Sequence, residues 1–177
     1  MHHTFHSEQW LPYPVDVVFA FFANPENLPR LMPPWQKTRI EEATFAPPPA
    51  HPQPARIAAG PGSHITLSFR PIPYFPLRLL WEAEIDEFVW NSHFADSQLR
   101  GPFAYWHHRH TVQQETRANI TGTRLQDKIE YEAPLGLLGE VANFLITHQL
   151  RSIFAYRKLK TTELLSKPLN SPPSHQK

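Results

Sequence analysis

The sequence has no cysteine. That excludes disulfides, a zinc site built on thiolates and a cysteine nucleophile. Methionine is scarce, at two residues, so any pocket is shaped by stiffer side chains than thioethers. Neither sign of charge dominates. Seventeen basic residues stand against 16 acidic ones, a net of +1, which gives no electrostatic reason to bind nucleic acid. No apolar run approaches the ~18 residues of a membrane span. The N-terminus has neither an apolar stretch nor a small-residue cleavage site, so no signal peptide is expected, and a soluble cytoplasmic protein is. What the chain does have is 41% hydrophobic residues, 12% aromatics, 20 prolines and 11 histidines in 177 positions. This is one domain's length, enough for a sizeable core, and too apolar for a disordered charged chain.

Residues 5–11 alternate loosely and stop at Pro12 and Pro14, as a first strand would. The period then changes. Val15, Val18, Phe19 and Phe22 share one face of a short helix that Asn24-Pro25 ends. Residues 26–32 read as a second short helix, closed by Pro33-Pro34. Residues 36–45 suggest another strand. Residues 46–54 hold five prolines and are predicted as an exposed loop, an insertion in a hairpin. From Gly62 onward the alternation is sustained. Ile65, Leu67 and Phe69 share a face, as do Leu79, Trp81, Ala83 and Ile85. Phe94, Asp96 and Gln98 follow, then Trp106, His108, His110 and Val112, then Leu125, Asp127, Ile129 and Tyr131. Short turns between these runs predict an antiparallel meander. Residues 140–165 lack proline and glycine and predict one long helix of about seven turns. The order is one strand, two short helices, six strands and one long helix. It is an α+β arrangement in which only the last helix can cover the sheet.

Three stretches carry a family resemblance: residues 10–28 (Trp10-Leu-Pro-Tyr-Pro onward), residues 94–110 with Asp96, Gln98, Gly101-Pro102, Trp106, His108 and His110, and residues 122–136 with Asp127. With the last helix they span roughly residues 3–165. The chain resembles the helix-grip (SRPBCC) superfamily of birch-pollen-allergen-like proteins, START lipid-transfer domains and polyketide cyclases. It is most similar to the bacterial stand-alone ligand-binding members, such as the coenzyme-Q-binding proteins. The resemblance implies a curved seven-stranded antiparallel sheet wrapped around a long C-terminal helix, with a hydrophobic-ligand cavity between them. It implies no cofactor and no single reaction, since the fold hosts carriers, cyclases and hydrolases alike. Residues 1–166 are expected to form one ligand-binding domain, with 46–61 as a Pro-rich loop insertion and 167–177 as a disordered tail.

The candidate polar residues follow from strand phase. His108 and His110 point the same way, ~6.6 Å apart. Two histidines so placed can share a metal, with Asp127 or His148 as a third ligand, but no metal is expected. Asp127 shares its face with Leu125, Ile129 and Tyr131, and an unpaired carboxylate there is costly. A buried pair of Asp127 with His108 or His110 is therefore predicted. It serves structure, forms the polar floor of a cavity, or acts as an acid–base pair through His110 and Asp127. Leu125 and Ile129 of the sheet are assigned to the cavity, and so is an arc of the last helix containing Val141, Phe144 and Leu145, with His148 and Ser152 in its middle. Ile146, Leu150, Ile153 and Phe154 form a second stripe, assigned to a cover by loops, a homodimer contact or peripheral membrane docking. Asp96 is read as structural. The function expected is binding of a small hydrophobic or amphipathic ligand (a lipid, quinone, isoprenoid or polyketide-like aromatic). A cyclase, dehydratase or hydrolase is the first alternative, and an interaction module working through the exposed helix stripe the second.

Overall fold

Pro14 sets the start of the first helix. The preceding strand, β1 (His3–Leu11), ends there, and the Pro14 carbonyl accepts from both Val17 and Val18 to open α1 (Val15–Ala23). Asp16 in the first turn complements the helix dipole. Asn24 stops α1, and its side chain accepts from the Glu26 amide at 3.0 Å. The second short helix expected over 26–32 is instead a chain of three single 3₁₀ turns, Pro25–Asn27, Pro29–Leu31 and Pro34–Gln36. A proline opens each turn and removes the amide that a continuous α-helical ladder requires.

The chain then forms β2 (Arg39–Thr44), β3 (His64–Phe69), β4 (Leu79–Val89), β5 (His93–Arg100), β6 (Tyr105–Arg117), β7 (Ile120–Glu132) and α2 (Gly139–Leu165). The seven strands make one antiparallel sheet in the order β1-β7-β6-β5-β4-β3-β2. This is the α+β arrangement that the residue pattern predicts, in the helix-grip form that the resemblance implies. Register shifts near Ile40 in β2 and at two places in β4 add bulges, which bend the strands and help the sheet curl around α2. The computed structural model describes residues 2–50, 57–74, 76–133 and 139–167, with the side chains of α2 from residue 143 onward. Phe75, most of the proline-rich loop's tip and the tail expected over 167–177 fall outside them, apart from Lys167. The flanks of the loop are tied to the body. The Trp90 indole donates to the Pro49 carbonyl at 2.7 Å, and the Ala59 amide donates to Ala23 at 3.1 Å.

Two apolar clusters hold the sheet to its helices. One joins α1 to the far ends of the central strands through Phe19, Phe22, Phe88, Phe94, Val112 and Leu125. Phe19 meets Phe88 and Phe94 edge-on, at 5.3 and 5.8 Å between ring centres. The other cluster joins α2 to the opposite ends through Phe5, Trp106, Ile129, Tyr131, Leu150 and Phe154. Each large side chain fully buried here contributes on the order of 1.5–3 kcal/mol. The apolar side chains do not fill the space between the concave face of the sheet and α2, and a cavity remains.

Candidate functional site: a sheet-and-helix cavity with a histidine–carboxylate wall

The cavity holds about 410 Å³ between the concave face of the sheet and α2. A solid interior would have left no room for a small molecule; this volume falls within the range of small-molecule sites. Its walls are mostly apolar. Ile65, Leu67 and Phe69 of β3, Leu79, Trp81, Ala83 and Ile85 of β4, and Ile129 of β7 face it, in the phase that the alternation predicts. Trp81 and Trp106 pack edge-to-face at 4.8 Å, which stiffens one wall. The 3₁₀ segment closes another side with Leu28, Leu31, Met32 and Gln36.

One patch of the wall is polar. His108 and His110 of β6 and Asp96 of β5 line the cavity, and the register sets His110 opposite Asp127 and His108 opposite Asp96. Asp127 lies behind the rings, 4% exposed. One of its oxygens, Oδ1, is 3.1 Å from His108 Nε2 and 2.6 Å from His110 Nδ1. Arg157 reaches in from α2. Its Nη2 is 3.8 Å from the same oxygen and 3.4 Å from His110 Nδ1. Its guanidinium sits over Phe22 and Phe154, at 4.9 and 5.3 Å from the ring centres. His110 stacks on Phe94 at 4.4 Å.

The charges follow from these contacts. Burial works against ionisation of Asp127, but Arg157, His110 and the hydrogen bond from His108 outweigh it and hold the carboxyl well below its usual range. Burial, reinforced by His108, pushes the His110 imidazole down to about 3, so the ring is neutral at physiological pH. Burial raises the Asp96 carboxyl against the opposing pull of His108 and Arg157. The result is one buried ion pair, Asp127 with Arg157, next to a neutral imidazole and a carboxyl that holds its proton more tightly than usual.

The structure departs from the sequence reading on the helix. Phe144 and Leu145 are 69% and 61% exposed, and His148 and Ser152 are exposed as well. None of the four lines the cavity, and His148 stacks on Phe144 along the outer face of the helix. The side chain of Val141 lies outside the described residues. The stripe assigned to a dimer or a membrane, Ile146, Leu150, Ile153 and Phe154, is the one that faces the cavity. It is not available for a homodimer or for docking. The reversal has a physical cause. The inner face carries Gln149, which donates to the Pro71 carbonyl, Arg157, which meets Asp127, and the buried Thr161, whereas the outer face carries Phe144, Leu145 and Leu159, so apolar content alone points the wrong way. Leu125 is buried in the α1 cluster and does not reach the cavity.

Asp96, read as structural, is a cavity residue. Gln98, read with it, ties the Gly101-Pro102 turn, donating from Nε2 to the Phe103 carbonyl at 2.8 Å. A Cβ on Gly101 would lie 2.3 Å from Gln98 Oε1, so a side chain there would displace Gln98 from its bond to Phe103. Arg157, Phe22 and Gln36 were not singled out for the site. The i, i+4, i+7, i+11 spacing of Ile146, Leu150, Ile153 and Arg157 is the signal that would have found Arg157. For a metal, Asp96, His108 and His110 each offer a ligand atom within 4.8 Å of the others, and theirs is the one such group among the described residues. His148 is too far out to join them. Asp127 is occupied behind the rings.

The fold is the helix-grip α+β fold, with a cavity between its sheet and its long helix. The profile of the family described as polyketide cyclase/dehydrase and lipid transport matches residues 11–154, and the chain belongs to that family. No curated protein matches the sequence. Solved structures share the fold at low identity. Norcoclaurine synthase from Thalictrum flavum is 14% identical, with a TM-score of 0.65 over 95% of this chain and 96% of that one. The Zhui aromatase/cyclase from Streptomyces sp. R1128 is 12% identical, with a TM-score of 0.65 over 93% of each chain. Protein CV1439 from Chromobacterium violaceum is 13% identical, with a TM-score of 0.64 over 93% and 98%.

Proposed function

We propose that this protein binds a small hydrophobic or amphipathic molecule in the cavity between its sheet and α2, as a carrier, sensor or chaperone. The observation that carries this reading is the cavity: about 410 Å³, apolar on most sides, with its polar groups gathered on one wall. Apolar burial supplies affinity, and the few polar groups orient the ligand. His108, His110 and Ile129 are its contacts on the sheet, with Asp127 holding the two rings from behind. Ile146, Leu150, Ile153 and Phe154 take the place on α2 first given to Phe144, Leu145, His148 and Ser152. Residues 1–166 act as one binding domain, and 46–61 is a loop insertion in it. A lipid, quinone, isoprenoid or polyketide-like aromatic satisfies the chemistry. No helix among the described residues is long and apolar enough to cross a membrane. A cytoplasmic location belongs to this proposal. Native mass spectrometry of protein purified from its source tests it. A co-purified small molecule at one per chain is the expected result; chain mass alone, together with no uptake of any apolar compound offered, is the contrary one.

One observation favours a second reading, acid–base catalysis on the bound molecule. His110 is neutral, it is oriented by Asp127 at 2.6 Å, and it lines the cavity close to Asp96, whose carboxyl burial keeps protonated above its usual range. A neutral imidazole can accept a proton and a carboxyl that holds its proton can donate one, which is the pair of groups that proton transfer needs. A ligand recovered chemically unchanged after prolonged incubation supports the carrier; conversion that His110→Gln abolishes while binding persists supports the enzyme. The interaction-module alternative loses the stripe first named for it, which lines the cavity, and would act instead through Phe144, Leu145 and Leu159 on the exposed face of α2.

A further inference from the structure

An exposed apolar side chain standing alone is ordinary, but several gathered at one place call for a reason. Such a group lies where the β3–β4 turn meets the first half of α2. Ile72, Tyr74 and Leu77 of the turn are 51%, 97% and 65% exposed, and Phe144 and Leu145 of the helix are exposed to a similar degree. Two hydrogen bonds bring the turn and the helix to one end of the sheet. Gln149 donates from Nε2 to the carbonyl of Pro71, the residue before Ile72. Tyr131, near the end of β7, donates to Asn143 Oδ1 at 2.6 Å. Phe144 and Leu145 stand about 6–8 Å from Gln149 along the helix.

Tyr74 is the extreme case. Its backbone is left-handed, with φ of +63°, a conformation that disfavours a residue carrying a Cβ, and almost all of its side chain meets solvent. A ring with a hydroxyl at its tip suits the boundary between hydrocarbon and water. The charge around the group has one sign. Residues 70–80 and 143–152 contain Arg70, Arg78 and Arg151 and no acidic residue. Among the described residues none of these arginines pairs with a carboxylate, whereas Arg109, Arg117 and Arg124 of the sheet each do. Arg78 gives its guanidinium hydrogens to Ser68 and to the Lys37 carbonyl, which are neutral partners, so its charge stays uncompensated. Apolar tips beside unneutralised cations are complementary to a surface that is anionic on top and apolar beneath.

The cavity reaches the same seam. Pro71, Ile146 and Gln149 line it from within, while Ile72, Phe144 and Leu145 lie on the outer side. We propose that the β3–β4 turn and the first half of α2 dock on an anionic phospholipid bilayer, with Tyr74 and Phe144 at its hydrocarbon boundary, so that the ligand passes between membrane and cavity along this seam without crossing water. This rests on the ligand-binding reading above and adds where the ligand is exchanged. A protein partner would have to place carboxylates against three arginines on two separate elements; a bilayer brings mobile anionic head groups that adapt to them.

The test is co-sedimentation of the full chain with vesicles of phosphatidylcholine alone and of phosphatidylcholine carrying roughly one-third phosphatidylglycerol. The expected result is binding to the anionic vesicles about tenfold or more tighter than to the neutral ones, with the difference lost at about 0.5 M salt. Tyr74→Ser with Leu77→Ser, and Phe144→Ser with Leu145→Ser, should each weaken binding to the anionic vesicles by about fivefold or more. Arg151→Gln should weaken binding to the anionic vesicles alone, by about threefold or more. All five side chains are exposed, so the variants should keep the native far-ultraviolet spectrum and the native uptake of 1-anilinonaphthalene-8-sulfonate. No binding to either vesicle, or full binding by both double variants, overturns this inference; continued uptake of the dye then leaves the cavity reading standing. Vesicle binding by a protein that takes up no dye keeps the docking surface and overturns the ligand reading. A dimer in sedimentation equilibrium that Phe144→Ser with Leu145→Ser dissociates would put a second copy on this face and overturn the bilayer.

Discussion

The buried pair of Asp127 and Arg157 is the most exposed to refutation, because it makes a stability claim that can be read in one experiment. Asp127→Asn keeps the shape of the side chain and one acceptor oxygen but removes the charge. Arg157 is then a buried cation with no counter-ion, since its only carboxylate within 4 Å among the described residues is Asp127. The His110 N–H keeps an acceptor, though a weaker one than the carboxylate at 2.6 Å. Removing one partner of a buried pair costs roughly 3–5 kcal/mol, and the retained amide oxygen places this case at the lower end, about 3 kcal/mol. For a chain of this size that corresponds to a fall in Tm of roughly 6–12 °C. Urea unfolding of the two proteins, monitored by far-ultraviolet circular dichroism, reads the difference as a shift in midpoint at unchanged slope. A double-mutant cycle with Arg157→Met separates the pair from its surroundings. The double variant should be more stable than the sum of the single losses by about 1–3 kcal/mol. A loss below about 1 kcal/mol for Asp127→Asn, or strict additivity in the cycle, would show that the carboxylate does not compensate Arg157, and the charge assignment of the site would be wrong.

Other outcomes follow from the same geometry. The His110 pKa is lowered on folding to about 3, so the unfolded chain takes up a proton below its usual value of 6.5 while the native protein does not. Stability contributed by this group is full above pH 6.5 and is lost as pH falls from there toward 3, at up to about 1.4 kcal/mol per pH unit. Asp127, lowered well below its usual value, adds a loss of the same sign below about pH 4. His110→Gln should flatten the upper part of the profile in unfolding experiments between pH 7 and 4; an equally steep decline in that variant would assign the slope to other groups. Phe144→Ser and Leu145→Ser, on the exposed face of α2, should change stability by less than about 0.5 kcal/mol, whereas Phe154→Ala should cost about 3 kcal/mol or more. The reverse ranking in thermal melts would restore the original helix phase. Protein purified without chelator should carry well under one zinc per chain by elemental analysis, because the buried Arg157 cation beside Asp96, His108 and His110 opposes a dication. One zinc per chain would contradict that and make the three residues a metal centre.

The sheet was legible because period-two alternation over a one-sided sheet leaves a single consistent phase. Ile65, Leu67 and Phe69, then Leu79 to Ile85, then Trp106, His108 and His110 turn toward the interior as their spacing implies. The pairing of His110 with Asp127 was legible for the same reason, since a carboxylate in phase with Ile129 and Tyr131 needs a partner on the next strand. The helix was not. Its two faces are almost equally apolar, and its inward face is marked by charged and polar residues whose partners, such as Asp127 for Arg157, are some 30 positions away in sequence. The 3₁₀ segment was blurred by Pro25, Pro29 and Pro34, each of which is compatible with a helix start and none with a helix interior. The missed contribution of Gln36 comes from that segment, where no periodicity exists to give it a direction.

The measurement that bears most directly on the central claim is a calorimetric titration with 1-anilinonaphthalene-8-sulfonate, run on the native protein and on Ala83→Phe. Ala83 lines the cavity from the middle of β4, and a phenyl ring there takes up part of its volume. The account predicts saturable binding of one probe molecule per chain, weakened at least roughly tenfold by the filling substitution while the far-ultraviolet spectrum is unchanged. Absence of saturable binding to the native protein, or equal binding by a folded Ala83→Phe, would contradict it.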